Sequence, residues 1–144
     1  MSVEKSMSDV CVFCRIASGK APASIVYEDT NILAFMDLNP ANVGHTLVIP
    51  REHWENIYDV PEKTLAEMAA VVKRVSVAVK KTVGADGIKI IQLNGRAAGQ
   101  LVMHIHIHVI PTNSKTGGMM GNRRRITPER RDLDENAKKI RKNL

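Results

Sequence analysis

Apolar and polar residues alternate along this chain with two different periods, and these periods predict its secondary structure. From Pro61 to Val83 the apolar residues recur at helical spacing, which predicts one long helix that Pro61 begins and Gly84 caps. Short apolar stretches between turn-forming residues predict five strands, at 24–27, 31–36, 45–49, 87–93 and 102–110. Because most of these strands follow one another in hairpin order, the pattern predicts an α+β fold built on an antiparallel sheet.

Prolines and a further apolar pattern mark the remaining boundaries. Pro50 closes the third predicted strand, and Pro111 terminates the fifth. Near the end of the chain a helix is predicted, with Thr127 as its cap and Pro128 at its first position. One face of this C-terminal helix would be apolar and carry Leu133, Ala137 and Ile140.

Composition favours a single globular domain without a membrane segment. Of the 144 residues, 44% are hydrophobic and 25% are charged, close to the globular average. No segment approaches the roughly 20 apolar residues of a bilayer-spanning helix, so we expect no membrane partner and a cytoplasmic location. We divide the chain into a loose leader at 1–10, a main domain at 11–115, and a basic loop and helix at 116–144, with 116–125 as a mobile loop.

The net charge of +6 is concentrated towards the C-terminal end. Residues 121–144 hold nine Lys or Arg against four Asp or Glu, whereas the rest of the chain holds twelve against eleven. A basic tail can bind phosphate-rich partners, but it is more often the solvated face of a helix. Since the body of the chain is nearly neutral, we do not expect a nucleic-acid partner. Nucleic-acid binding is therefore the least favoured of the functions that we consider.

Cys11 and Cys14 are the only cysteines, and they have C-x-x-C spacing. In a reducing compartment such a pair is more typical of metal binding or redox exchange than of a structural disulfide. A thioredoxin-type redox pair would begin a helix inside a βαβ unit, which this pattern does not contain. We therefore favour metal binding for this pair. The alternative is that both cysteines are reduced and pack as small apolar side chains.

Three of the five histidines alternate with aliphatic residues in the last predicted strand. Because side chains alternate across a strand, His104, His106 and His108 would share one face and leave the aliphatic residues to the core. His45 and His53 lie at the two ends of one strand-loop segment that could lie beside this row. Such a cluster could bind metal through histidines alone, although the carboxylate of cupin-like sites is missing from 109–120. We favour the other chemistry, attack on phosphorus by a neutral imidazole.

The histidine row is part of a longer pattern. Residues 99–111, in which histidine and aliphatic residues alternate, resemble the signature of the histidine-triad (HIT) family of nucleotide hydrolases and transferases. Further blocks resemble the other motifs of that family in order, at 11–16, 33–37, 44–50 and 94–100. The chain is most similar to the small branch that hydrolyses nucleoside phosphoramidates, which makes 11–115 the catalytic domain. The resemblance implies a five-stranded antiparallel sheet with one long helix, a short N-terminal helix and a C-terminal helix.

The resemblance also implies roles for the residues around the phosphate. His106 would be the nucleophile, which attacks the α-phosphate of a nucleotide conjugate and forms a nucleotidyl-histidine intermediate that water cleaves. His108 and His45 would contact the phosphate, and Asn94 would lie beside it. The substrates implied are adenosine phosphoramidates, acyl adenylates or dinucleoside polyphosphates. A non-catalytic nucleotide sensor or interaction module that uses the same pocket is the alternative.

A second group of residues would bind the nucleoside, which we expect to be a purine nucleoside. Asp37 would accept hydrogen bonds from the ribose hydroxyls, with a turn-forming role before Asn39 as the alternative. The rest of the nucleotide-binding set would be Val12, Phe13, Phe35, Leu38 and Gln100. For the apolar members, core packing is the competing interpretation. Leu101 stands where many phosphoramidase relatives carry Ser or Thr, and since Leu cannot donate a hydrogen bond, it leaves room for a different scissile bond.

Metal and assembly complete what the resemblance implies. Cys11 and Cys14 would join His53 and His104 as the ligands of a structural zinc ion that takes no part in the chemical step. The protein would form a homodimer in which two sheets join edge to edge. The basic tail would tune substrate access or partner binding and would not carry the bond-breaking step.

Overall fold

Five antiparallel strands lie at the centre of the computed structural model, which describes residues 10–114 and 126–144. They are β1 (Ile25–Glu28), β2 (Ile32–Met36), β3 (Thr46–Pro50), β4 (Gly87–Gln92) and β5 (Ile107–Thr112). Their order in the sheet is β1-β2-β3-β5-β4, so β1 and β4 form its edges. The predicted α+β fold on a five-stranded antiparallel sheet is confirmed. The predicted mobile loop, and all of the predicted leader except Val10, lie outside the described residues.

Three α-helices accompany this sheet in the described ranges: α1 (Val12–Ala17), α2 (Glu62–Val83) and α3 (Arg130–Lys142). The long helix α2 lies between the predicted boundary residues: Pro61, predicted to begin it, is its N-cap, and Gly84 is its C-cap, as the sequence predicts. Gly84 has a φ of 67° and donates its N–H to the Lys80 carbonyl, so it is the expected left-handed cap. Among residues 10–114 and 126–144, no helix combines the length and the apolar character that crossing a bilayer requires.

The two faces of the sheet pack against different partners. On one face, α2 and α3 cover the main core, to which the end of the chain contributes Leu133, Ala137 and Ile140. The predicted C-terminal helix is therefore an integral part of the hydrophobic core. On the other face, α1 places Phe13 over a smaller apolar group formed by Leu33, Phe35, Leu47 and Ile49. The candidate functional side chains lie on this second face.

The last strand differs from its prediction at both ends. The sequence predicts a strand at 102–110, whereas β5 comprises Ile107–Thr112. The preceding residues are not paired in the sheet, and the N–H of Ile105 instead donates to the Trp54 carbonyl (2.7 Å) in the segment after β3. Of the three histidines in the row, only His108 therefore lies on the strand.

Pro50 ends β3, as the sequence predicts, whereas Pro111 lies inside β5 and does not terminate it. A proline can be accommodated where no neighbouring strand needs its missing N–H. Strand β3 pairs with β5 only over 107–109, so it does not reach Pro111. The Pro111 carbonyl instead accepts a hydrogen bond from the Asn42 side chain (2.7 Å). The strand therefore continues past this proline along its other neighbour, β4.

Helix α3 begins later than the sequence predicts. Thr127 and Pro128 are predicted as the cap and the first helical residue, but the N-cap is Glu129, in an extended conformation. The N–H of Ile126 donates to the Pro40 carbonyl (3.1 Å), which ties the approach to the helix to the loop after β2. The local sequence pattern does not reveal this tertiary contact, which occurs just before the observed start of the helix.

Candidate active site and metal centre

His106 is a neutral imidazole with one unprotonated ring nitrogen. Its Nδ1 lies 2.7 Å from the carbonyl oxygen of His104. Because a carbonyl only accepts, Nδ1 carries the proton and Nε2 keeps its lone pair. Burial lowers the pKa of His106 and outweighs the opposite effects of this hydrogen bond and of Asp37. The ring is therefore in the protonation state that a nitrogen nucleophile requires.

His45 and His108 form a hydrogen-bonded pair beside His106. The backbone N–H of Ala41 donates to Nδ1 of His45 (3.0 Å), so neutral His45 carries its proton on Nε2. That nitrogen lies 3.0 Å from Nδ1 of His108, which must accept, and the proton of His108 is therefore on its own Nε2. The ring centroids of His106 and His108 are 5.0 Å apart. The N–H of the His108 ring and the lone pair of the His106 ring thus belong to neighbouring side chains.

Asp37 belongs to the same hydrogen-bond network. Its Oδ2 lies 3.4 Å from Nε2 of His45, and its Oδ1 accepts from the Asn39 N–H (2.8 Å). One potential ligand atom from each of Asp37, His45 and His108 lies within 4.8 Å of the others, which is close enough for a metal ion. Nε2 of neutral His45 has no lone pair to offer one, because Nδ1 already accepts from Ala41. We therefore interpret this group as a hydrogen-bond network.

A second cluster, the metal centre, contains the four predicted ligands Cys11, Cys14, His53 and His104, with ligand atoms within 4.8 Å of one another. Nδ1 of His104 lies 3.4 Å from Sγ of Cys11 and 3.5 Å from Sγ of Cys14. Nδ1 of His53 lies 3.4 Å from Sγ of Cys14. Two sulfur and two nitrogen ligands of a tetrahedral zinc ion are separated by about 3.3 to 3.8 Å. These residues could therefore hold a metal ion.

The donor chemistry of this cluster also fits a metal. Nε2 of His104 donates to the Pro50 carbonyl (2.8 Å), so Nδ1 keeps the lone pair that a ligand needs. Burial lowers the pKa of His104 to about 4, which keeps the ring neutral. Burial, with a contribution from Cys11, raises the pKa of the Cys14 thiol to about 12. A cation at the site would stabilise the thiolate that burial alone disfavours.

An apolar cleft of about 560 Å³ opens beside His106 and His108, and its size is typical of small-molecule sites. Phe13 lies between the histidine row and the apolar wall of the cleft. Its ring centroid is 5.1 Å from that of His106 and 5.4 Å from that of Phe35. Further predicted nucleotide-binding residues also line the cleft, namely Val12, Phe35, Asp37 and Leu38. Leu101 lines it as well and is 84% exposed.

Two predicted site residues, Asn94 and Gln100, are not among the described residues that line the cleft. Oδ1 of Asn94 accepts from the Ile57 N–H (2.8 Å), and its amide group exchanges hydrogen bonds with Gln92 (2.7 Å each). Gln100 is 1% exposed and donates to the Glu55 carbonyl (2.7 Å). Both side chains connect the loop before β5 to the segment after β3. Their contact with a nucleotide remains a prediction.

The structure adds cleft residues that the sequence analysis did not single out. Among them are Ile16, Pro22, Ala23, Leu47, Leu93 and Arg130. For the apolar ones, no chemical signature separates a cleft wall from an ordinary core position. Arg130 belongs to the basic tail, where no local pattern distinguishes one arginine from the next. Only the packing of α3 against the sheet brings it to the cleft.

The fold and the site together define an antiparallel α+β protein in which a histidine row opens onto an apolar cleft and adjoins a Cys/His cluster that could hold a metal ion. The HIT domain model matches residues 18–115, and the chain belongs to this family. It is 43% identical to an HIT-like protein of Methanocaldococcus jannaschii, over 91% of this chain and 98% of that protein. It is 39% identical to adenylylsulfatase HINT3 of Arabidopsis thaliana, over 78% of this chain and 58% of that protein. It is 36% identical to adenosine 5'-monophosphoramidase hnt1 of Schizosaccharomyces pombe, with 76% and 79% covered.

Solved structures agree with this assignment. An HIT-like protein from Bartonella henselae superposes with a TM-score of 0.85 at 38% identity, covering 98% of this chain and all (100%) of that one. A Zn-bound histidine triad family protein from Mycobacterium smegmatis gives a TM-score of 0.82 at 42% identity, with 94% of both chains covered. The family resemblance noted in the sequence is thus confirmed.

Proposed function

We propose that the protein hydrolyses purine nucleotide conjugates at the α-phosphate, with His106 as the nucleophile. The observation that carries this proposal is the 2.7 Å hydrogen bond between Nδ1 of His106 and the His104 carbonyl, which leaves Nε2 unprotonated beside the cleft. Next to it, His108 keeps a ring N–H that could stabilise charge on the phosphoryl oxygens. A pocket that only binds nucleotide could use this donor but would not need the unprotonated nitrogen of His106.

The reaction would proceed in two displacements. The Nε2 lone pair of His106 attacks the α-phosphorus, an N–P bond forms, and the bond to the leaving group breaks. The leaving group departs with the electron pair and takes up a proton. Water then attacks phosphorus and gives up a proton, which balances the proton taken up by the leaving group. The N–P bond breaks with its electron pair returning to Nε2, and a nucleoside monophosphate is released. In both steps the His104 carbonyl holds the Nδ1 proton and so offsets positive charge on the ring.

The names of two relatives support this class of substrate. The Arabidopsis protein is named an adenylylsulfatase, and the S. pombe protein an adenosine 5'-monophosphoramidase. We therefore propose adenosine phosphoramidates, acyl adenylates or dinucleoside polyphosphates as substrates. Asp37 would accept hydrogen bonds from the ribose, and the apolar walls would hold the base. Leu101 would offer the leaving group no hydrogen bond.

We also propose that the metal centre holds a structural zinc ion. The separations between its ligand atoms suit tetrahedral zinc, and the M. smegmatis relative is Zn-bound. When bound, zinc would supply a fixed cross-link between the two cysteines and the two histidines. His104 would then be held at its ring while its carbonyl orients His106. A cytoplasmic location is part of the proposal, because a reducing compartment keeps Cys11 and Cys14 available as ligands.

Rapid-quench mass spectrometry, with enzyme in excess over an adenosine phosphoramidate, tests the proposed intermediate. We expect a nucleotide adduct on His106. His106→Ala should abolish the adduct and slow turnover by on the order of 10³-fold or more, as loss of a nucleophile usually does. His108→Ala is the comparison, because it should cost roughly 3 kcal/mol of transition-state stabilisation while leaving the attacking nitrogen in place.

Two results would contradict this mechanism even though the family is secure. One is an adduct on His104 or His108, and the other is turnover that survives in His106→Ala. Nucleotide binding without any turnover of adenosine phosphoramidates, acyl adenylates or dinucleoside polyphosphates would favour the alternative, a nucleotide sensor that uses the same cleft.

A further inference from the structure

Arg130 is the one Lys or Arg among the described residues that line the cleft, and it comes from the opposite face of the sheet. Its helix, α3, packs with α2 into the main core, whereas the cleft lies on the face that α1 covers. The side chain, which is only partly exposed, therefore reaches the cleft past Ser24, the residue before β1. It places a cation at the margin of a mostly apolar cavity.

The guanidinium of Arg130 is held in place by a buried hydroxyl. Its Nη1 donates to Oγ of Ser24 (3.1 Å), and that hydroxyl donates its own proton to Oδ1 of Asp134 (2.6 Å). Ser24 is 3% exposed, so the central hydroxyl of this anchor is buried, whereas Arg130 is partly exposed and Asp134 is exposed. An arginine fixed through one nitrogen has other N–H groups left for a ligand, and it has lost its conformational freedom in advance.

Strand pairing shows which end of the cleft Arg130 occupies. Across the sheet, His108 pairs with Leu47, Leu47 with Phe35, and Phe35 with Ile25, the neighbour of Ser24. This row spans three strand spacings, about 14 Å. The histidines and Arg130 therefore occupy opposite ends of the cleft, far enough apart for a nucleoside to lie between them. With the phosphate at the histidines, the base lies at the end where Arg130 stands.

We propose that Arg130 recognises the base of the bound nucleotide and favours guanine over adenine, so that the guanosine counterparts of the proposed adenosine conjugates bind more tightly. The walls at this end are apolar, as the flat faces of a purine require, and they include Ile16, Pro22 and Ala23. An arginine offers only hydrogen-bond donors. Guanine presents two acceptors, O6 and N7, on one edge, whereas adenine presents N7 beside an amino group that is itself a donor. A paired contact with the guanidinium is therefore available to guanine alone.

This assignment rests on the proposed function only for the placement of the phosphate, and it can be tested without turnover. Calorimetric titration of the full chain with GMP and with AMP should show about tenfold tighter binding of GMP. Arg130→Ala should bind the two nucleotides equally. Arg130→Lys keeps the charge but loses the planar pair of donors, so it should lose most of the preference. Arg131→Ala is the matched control, because it removes the same charge from a neighbouring side chain that is 83% exposed, and it should retain the preference.

Several outcomes would overturn the assignment and leave the hydrolysis proposal intact. They are equal binding of GMP and AMP by the wild type, an unchanged preference in Arg130→Ala, or a parallel loss of both ligands in that variant. If neither nucleotide binds the wild type, both proposals fail. Ser24→Ala, which releases the guanidinium, should weaken GMP binding alone. Thermal unfolding reports whether each variant is folded, and if Arg130→Ala is not, Arg130→Lys decides the question.

Discussion

His45 is separated from the cleft by its hydrogen-bond partner. It is fully buried and is not among the described residues that line the cleft, yet its Nε2 lies 3.0 Å from Nδ1 of His108. The tautomer of His108, and so the nitrogen that carries its proton, depends on this bond. The Ala41 N–H sets the tautomer of His45 in turn. Family resemblance implies that His45 contacts the phosphate, whereas this geometry favours a positioning residue that acts through His108.

His45→Asn should therefore lower kcat by about 10- to 100-fold while changing KM little, a penalty typical of residues that act through a neighbour. The loss arises because His108 is no longer held with its proton on Nε2. Steady-state kinetics measures how the effect divides between kcat and KM. Nitrogen NMR shifts of His108 report its tautomer independently of activity.

Thr46→Val is the control for disturbing this part of β3. Thr46 is the next residue and is equally buried, but its hydroxyl donates to the Gly44 carbonyl (2.9 Å) and not to a histidine. This variant should lose some stability and keep its kcat. If His45→Asn keeps a normal kcat and raises KM instead, His45 contacts the substrate directly.

Single residues were predictable where their role follows from type and spacing. The Cys-x-x-Cys spacing predicted a metal-binding pair, the family resemblance added His53 and His104, and the structure brings these four side chains together. Asn94 and Gln100 are different, because an amide can face a substrate or connect two loops. The choice depends on backbone groups of the distant segment 55–57, which no local pattern reveals.

Among the secondary-structure elements, α2 was predictable from local sequence, whereas the bounds of β5 depend on distant parts of the chain. Helix α2 follows its prediction because its apolar spacing and the Gly84 cap act within a few residues of the chain. A strand begins only where a partner strand is available. The alternation around His106 continues without sheet pairing, since pairing with β3 covers only 107–109. The sequence could therefore predict which faces the side chains occupy, but not where the ladder starts.

Helix α1 is only six residues long, too short to be stable on its own, and its start supplies both cysteines of the metal centre. We expect about one zinc ion per purified chain. A chelator should lower the midpoint of thermal unfolding by about 10 °C or more, because metal binding by four protein ligands contributes several kcal/mol to folding. Elemental analysis and scanning calorimetry before and after chelation measure the two quantities.

The Cys14→Ser variant provides the control for this experiment. It already lacks one ligand, so its unfolding midpoint should start lower and respond little to the chelator. A wild-type protein whose metal-free form keeps the full midpoint would rule out a structural zinc, whatever its metal content.

For the molecule as a whole, the two edges of the sheet differ in how they are covered. At the β1 edge, Arg141 of α3 donates to the Ile25 carbonyl, and Leu144 lies in the same groove. Every residue of β4 is at least partly exposed, and Ile90 is 50% exposed. An uncovered edge with apolar side chains is where a second sheet can pair. We therefore propose β4 as the edge at which the expected homodimer forms.

Ile90→Lys should convert this dimer to a monomer. In a symmetric interface the substitution places two positive charges, one from each chain, in the apolar contact. Sedimentation velocity at several protein concentrations measures the change. Leu144→Lys places the same charge at the opposite edge and should leave the dimer intact. A wild type that is monomeric throughout would contradict the proposal, and dissociation by Leu144→Lys alone would move the interface to β1.

His104 serves two neighbouring sites with two parts of one residue: its ring lies against the cysteines, and its carbonyl oxygen holds the ring of His106. We therefore expect changes in the cysteine-bearing turn and changes at the nucleophile to affect each other through His104. A substitution that displaces the backbone of His104 together with its ring should weaken the hydrogen bond that holds the proton of His106 on Nδ1. Mutations in the two places should be epistatic. A homologue that lacks Cys14 should retain catalytic activity only if another interaction holds His104 in place.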